Sequence, residues 1–441
     1  MRTRVFSFFW WYNSLFRIFT LFFLYPLFVG FFIQLVVLPY LFPSLHAGEG
    51  LLKGGDWLYF HRLAKDLAER IRVEGWGAWE LRPEGQAPAG IAAIFYVFFG
   101  AKPWVILPLN ALVHALGGVV LFSLVYDLVG ERKSAFLATL PFIFFPSAMT
   151  WYTQIHKDGI FILGVFLFLL GWNGLLVLGD YSRSWKALLL YTLWSVLGGM
   201  LVWIVRPYGL EILWFLGIIF ALLVSGIKLF TGKIRKNRGK EVYRSLLFLW
   251  LSLAMLTPLA FRAVSEGEPI GEPIEIVWKD TPWLPDFLEG KFVGIARVRE
   301  AYYRQYDPQL AGNIDWEVSF HSAGDVMRYI PRALEIGIFA PFPRHWFEEG
   351  TSPGGDMTRK IAALETIFVY LSLAFLVFGF LRSRKNLSFW AVMYFSLSVI
   401  LVYALSVPNL GSLYRARYGF WMLLVALGWG YMGRNEIWVT K

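Results

Sequence analysis

The chain contains no cysteine, which excludes a disulfide framework and any thiolate chemistry. It is also poor in charge. Asp, Glu, Lys and Arg make up 16% of its 441 residues against 57% hydrophobic ones, too little polar surface to cover a soluble domain. No internal repeat, low-complexity tract or glycine-rich phosphate loop is present, so the sequence offers no place to handle ATP or a nucleotide sugar. A cleavable leader is not expected either, because the first apolar region runs on past Pro43 without a small-residue cleavage site.

What is present is a series of apolar runs of about 20 residues, the length that crosses a bilayer. They predict an all-α polytopic membrane protein of about ten transmembrane helices, at 18–42, 103–129, 134–155, 158–179, 185–205, 209–230, 245–261, 361–381, 387–407 and 411–432. An aromatic stretch at 5–16, ahead of Arg17, reads as an interfacial helix. The chain then divides into 1–42 (interfacial helix and first span), 43–102 (a first extracytoplasmic loop with surface helices) and 103–261 (spans two to seven). A second extracytoplasmic segment, 262–360, precedes spans eight to ten in 361–441.

The net charge of +10 would suit nucleic acid, but its excess lies in short loops between spans, and no nucleic-acid partner is expected. Arg2 and Arg4, Arg132-Lys133, Arg183 with Lys186, Arg382 to Lys385 and Arg434 share one side in this arrangement. So does the dense cluster Lys233, Arg235, Lys236, Arg238, Lys240 and Arg244. The positive-inside rule makes that side cytoplasmic, with both termini on it; the cluster also suits anionic lipid. The two long segments hold most of the 31 Asp and Glu and face outward.

Four outward stretches carry candidate chemistry. In Gly54-Gly55-Asp56-Trp57 a glycine turn precedes an amphipathic helix whose apolar residues Phe60, Leu63, Ala64, Leu67 and Ile71 recur at three and four. Such a helix is expected to lie on the membrane, apolar face down, with Asp56 as its N-cap. Capping and chemistry are compatible, since helix N–H donors keep a carboxylate ionised and oriented. Gln154-Ile155-His156-Lys157-Asp158-Gly159 joins two apolar runs with more ionisable groups than a turn requires; Asp158 either caps the next span or meets Asp56 at a polar substrate or metal ion. Arg206, in Arg206-Pro207-Tyr208, either snorkels to the headgroups or grips a phosphate. Arg415 and Arg417, in Leu413-Tyr414-Arg415-Ala416-Arg417, stand where the positive-inside rule disfavours them, and an outer-surface anion supplies a reason. The lone histidines His321 and His345 have no partners at metal-ligand spacing.

An outward Asp after the first span, a surface helix, an apolar segment at 88–100 ending in Phe-Gly, a span with Leu109-Asn110-Ala111-Leu112 and a Lys-Asp pair opening a later span occur together. Over residues 17–210 this resembles the GT-C superfamily of membrane glycosyltransferases, close to protein mannosyltransferases and lipid A aminoarabinose transferases. The resemblance implies a GT-C-like fold and a sugar donor linked to polyprenyl phosphate. It implies inverting transfer to a lipid, glycan or protein acceptor on the extracytoplasmic side of a bacterial or archaeal cell membrane. On this carry-over Asp56 is the general base, Asp158 assists acceptor or metal placement, and Lys157 lies near the donor phosphate. Arg206, Arg415 and Arg417 as donor-phosphate ligands rest on the electrostatic reading. A divalent metal ion at Asp56 and Asp158 is left open. The alternatives are a polymerase or ligase of lipid-linked polysaccharide repeats, or a lipid or sugar transporter. Transporters usually place charges or broken helices at mid-membrane, whereas these charges gather at one surface.

Overall fold

The computed structural model describes residues 12–181, 184–234, 239–266, 274–305, 312–349 and 354–433. Among them are fifteen α-helices and one small antiparallel hairpin, His46–Gly48 with Leu51–Leu52, which the all-α expectation omitted. The helices are α1 (Leu15–Phe32), α2 (Asp56–Glu74), α3 (Ala87–Phe99), α4 (Leu107–Val129), α5 (Arg132–Phe144), α6 (Pro146–Tyr152), α7 (Asp158–Tyr181) and α8 (Trp185–Val205). They continue as α9 (Pro207–Ile234), α10 (Gly239–Glu266), α11 (Asp286–Gln305), α12 (Ala323–Phe339), α13 (Gly355–Ser383), α14 (Leu387–Ser406) and α15 (Leu410–Gly433). Most of the interfacial helix expected at 5–16 lies outside the described residues, as do Arg2, Arg4, Arg183, Arg235, Lys236, Arg238 and Arg434.

Eight of these helices are long and apolar enough to cross a membrane: α1, α4, α7, α8, α9, α10, α13 and α14. The run at 134–155 is not one straight helix. Pro146 has no N–H to continue the ladder, and α5 and α6 meet there at 57°; counted together they make a ninth span. The tenth expected span falls on α15, whose start carries Arg415 and Arg417 and which is buried along almost its whole length. α7 and α15 form the interior, while α1, α9 and α13 turn apolar side chains outward.

Helix packing relies on small residues, as expected where water supplies no driving force between helices. A Cβ at Gly198 would lie 2.4 Å from the Gly164 carbonyl oxygen and the Phe168 nitrogen, so α7 and α8 touch backbone to backbone.

Both long polar segments pack on the same end of the helices. Arg82, between α2 and α3, donates to the carbonyls of Trp203 and Ile204 at the end of α8. The second segment meets the start of α15, where Leu410 N–H donates to the Gly312 carbonyl (2.7 Å) and Ile314 N–H to that of Pro408 (3.0 Å). The apolar face of α2 differs from expectation. Phe60, Leu63, Ala64, Leu67 and Ile71 pack on Ala89, Ala92, Ala93 and Tyr96 of α3, which covers them before any lipid can.

These contacts set a stability contrast. Gly198→Ala should lower the thermal unfolding temperature in detergent. Gly226→Ala, where a new Cβ meets open space in α9, should raise helix stability by roughly 0.5–1 kcal/mol. Equal shifts for the two would contradict the backbone contact.

Candidate functional site

Gly54-Gly55-Asp56-Trp57 folds as it does because of Trp57. Its indole doubles back and donates to the Leu52 carbonyl (2.6 Å), and a Cβ at residue 55 would lie 2.1 Å from the ring. Gly54 takes φ +82° to make the turn. Gly55 is then the N-cap and Asp56 the first helical residue, a correction of the cap assignment. The Asp56 side chain is 59% exposed and accepts from Arg415 Nη1 at 3.4 Å.

The second stretch is held by amides from two other helices. Asn110 Nδ2 of α4 donates to the carbonyls of Tyr152 (3.0 Å) and Gln154 (2.7 Å). Gln34, buried in the π-helical continuation of the first span, donates to the Thr153 carbonyl (2.5 Å). The Leu52 N–H donates to Gln154 Oε1 at 3.1 Å, joining the hairpin ahead of Asp56 to this turn. Backbone freed by the break after α6 is thus hydrogen-bonded by side chains of the protein.

The turn delivers Asp158, the first residue of α7, into the interior with 1% exposure. One of its oxygens accepts from Arg206 and the other from Arg415 Nε. A buried carboxylate is tolerable only when paired in this way. Arg206 lies between α8 and α9, its guanidinium 4.7 Å from the Phe161 ring centroid, with Nη1 donating to Tyr403 Oη at 3.4 Å. An unbroken chain therefore runs Arg206–Asp158–Arg415–Asp56, from a buried end to an exposed one.

Lys157 stands beside this chain. Its ammonium lies over the Phe60 ring at 5.7 Å, and no carboxylate pairs with it among the described residues. Burial, reinforced by Arg206, pushes it down to about 8. With Lys157 protonated, three cations face two carboxylates. Behind the same turn, Pro88, Ile91, Leu109, Asn110, Val113 and Ile160 line a narrow, mostly apolar cleft. His156 forms part of its wall.

Arg417 is placed elsewhere. Fully buried, it stacks on Trp421 at 3.7 Å and donates to the carbonyls of Ile336 (2.8 Å), Gly337 (2.6 Å) and Ala340, the end of α12. It holds the second polar segment on the bundle and has no contact with Asp56 or Asp158.

A divalent ion fits these residues poorly. Both Asp158 oxygens are engaged by guanidinium groups, and one Asp56 oxygen accepts from Arg415. Among the described residues no group of three His, Asp or Glu is placed to hold a metal.

Other residues gain roles that the pattern did not assign. Glu365, buried in α13, accepts from the Ser147 N–H (2.8 Å), from Ser147 Oγ and from Tyr414 Oη, so it pins the bend after α5 beside the residue preceding Arg415. Tyr403 and Phe161 have no distinguishing signal in the sequence. Gln34 and Glu365 do, as isolated polar residues in otherwise apolar runs.

No protein-family model matches the chain, and no curated protein or solved structure matches it either.

His156 accepts from the Gly159 N–H at 3.2 Å through Nδ1, and burial pushes its pKa down to about 4. Between pH 4 and roughly 6.5 the unfolded chain would bind a proton there that the folded chain refuses, so stability should rise with pH across that window. Thermal melts of wild type and His156→Phe should converge in slope above the window, with the steeper rise inside it belonging to the wild type.

Proposed function

We propose that the chain is a membrane glycosyltransferase of GT-C type that uses a polyprenyl-phosphate-linked sugar. What carries the reading is an exposed carboxylate, Asp56, within electrostatic reach of an ammonium, Lys157, that forms no ion pair among the described residues. The exposed group suits proton abstraction from an acceptor hydroxyl, and the unpaired cation suits a phosphate. In this reaction the acceptor oxygen attacks the anomeric carbon while Asp56 takes the hydroxyl proton. The bond from that carbon to the phosphate oxygen breaks, and Lys157 stabilises the charge gathering on the departing polyprenyl phosphate. Arg206 and Arg415 add positive potential from behind.

Asp56→Asn should abolish sugar transfer while leaving folding and lipid binding nearly intact; an active variant would remove Asp56 from the mechanism. Mass spectrometry of co-purified lipid should find a polyprenyl phosphate or its sugar conjugate. Lys157 gives an independent test. A phosphate monoester is largely dianionic above its second pKa of about 6, so loss of binding at higher pH would report the ammonium. Decaprenyl phosphate binding in nanodiscs should weaken as pH rises through about 8, and Lys157→Gln should remove that dependence. A pH-independent affinity in the wild type would place the phosphate elsewhere.

A further inference from the structure

We infer that Arg415 is a positioning residue that aims the Asp56 carboxylate, rather than a ligand of the donor phosphate; the inference rests on Asp56 being the base. Asp56 stands at the start of α2 with most of its side chain in solvent. Arg415 Nη1 is its one hydrogen-bond donor among the described residues. Left to itself, such a side chain would sample several rotamers, and only some would present an oxygen to a given hydroxyl.

Arg415 is itself held from two directions. Its Nε is fixed on one oxygen of Asp158, whose other oxygen belongs to Arg206. A planar guanidinium anchored through Nε has little freedom left, so Nη1 projects in a set direction. The Trp57 ring, 6.0 Å away and tethered to Leu52, lies against the same group. The backbone of Arg415 is braced as well. Residues 312–314 bind the start of α15, and Arg417, two positions on, grips the end of α12. This gives the second polar segment a function: it fixes the first turn of α15, and through Arg415 it fixes Asp56. Two donor directions of Arg415 already point at carboxylates. Lys157, which forms no ion pair among the described residues, is a cation left for the phosphate.

Two chemical readouts separate positioning from phosphate binding. The first is labelling of carboxylates by a water-soluble carbodiimide with glycine ethyl ester, read by peptide mass spectrometry. Exposed Asp66 on the same helix serves as internal standard. An ammonium keeps the charge but lacks the fork, so Arg415→Lys should raise Asp56 labelling relative to Asp66 at least about threefold. The second readout is decaprenyl phosphate affinity in nanodiscs, which should stay within about twofold of wild type. Unchanged labelling, or a tenfold loss of decaprenyl phosphate affinity, overturns the assignment. If Arg415→Lys fails to fold, Asp56→Glu applies the test from the exposed end. Its longer side chain should remain protected from labelling by Arg415, yet sugar transfer should fall at least about tenfold because the oxygen is displaced. Full transfer by that variant equally overturns aiming. Failure of the wild type to bind decaprenyl phosphate would instead count against the glycosyltransferase reading, while the labelling arm still decides whether Arg415 holds Asp56.

Discussion

The buried Asp158 carboxylate is the point on which the site depends. A single negative charge at 1% exposure is shared by two guanidinium groups from distant parts of the sequence, Arg206 and Arg415. Removing either partner of a buried pair leaves an uncompensated charge, a cost of about 3–5 kcal/mol. α7, the junction of α8 with α9, and α15 are therefore locked at one end of the bundle by electrostatics as well as by packing. The exposed Asp56 is hydrogen-bonded to this group through Arg415.

That lock requires irregular backbone, and much of the surrounding chemistry exists to satisfy it. The break at Pro146 ends one helix, and the turn before Asp158 leaves carbonyls with no intrahelical donor. Asn110 and Gln34 supply the missing hydrogen bonds, and Glu365 holds the start of α6. Gln34 and Glu365 are buried and Asn110 half-buried, each in an apolar run, where an unpartnered polar side chain would be costly. The two long polar segments then close over the same end. One supplies Asp56, and the other secures α15 through Arg417.

Several parts of this arrangement are legible from residue pattern. Long apolar runs mark the membrane helices, because backbone buried in lipid must be hydrogen-bonded within its own segment. The period of three and four in Phe60, Leu63, Ala64, Leu67 and Ile71 marks α2, although its apolar face is covered by α3 and not by lipid. Glycine followed by aspartate before that helix marks a turn. The folded-back indole of Trp57 explains why the second glycine is required, and it moves the cap from Asp56 to Gly55. Arg415 and Arg417 stand out by their unusual position, but the pattern gives both the same role.

Sequence alone determined the class of molecule: a cysteine-free, mostly apolar chain whose helices are long enough to cross a membrane, with its acidic residues concentrated in two polar segments. Those properties are local, since they depend on composition and on which residues follow one another. Tertiary structure decided the partners. Arg415 and Arg417 are two residues apart on one helix and so point about 200° apart around its axis. One reaches Asp158 and Asp56, and the other reaches the end of α12. Which carboxylate pairs with which guanidinium, and which ammonium is left without one, depends on distances between segments far apart in the chain. No local spacing encodes them.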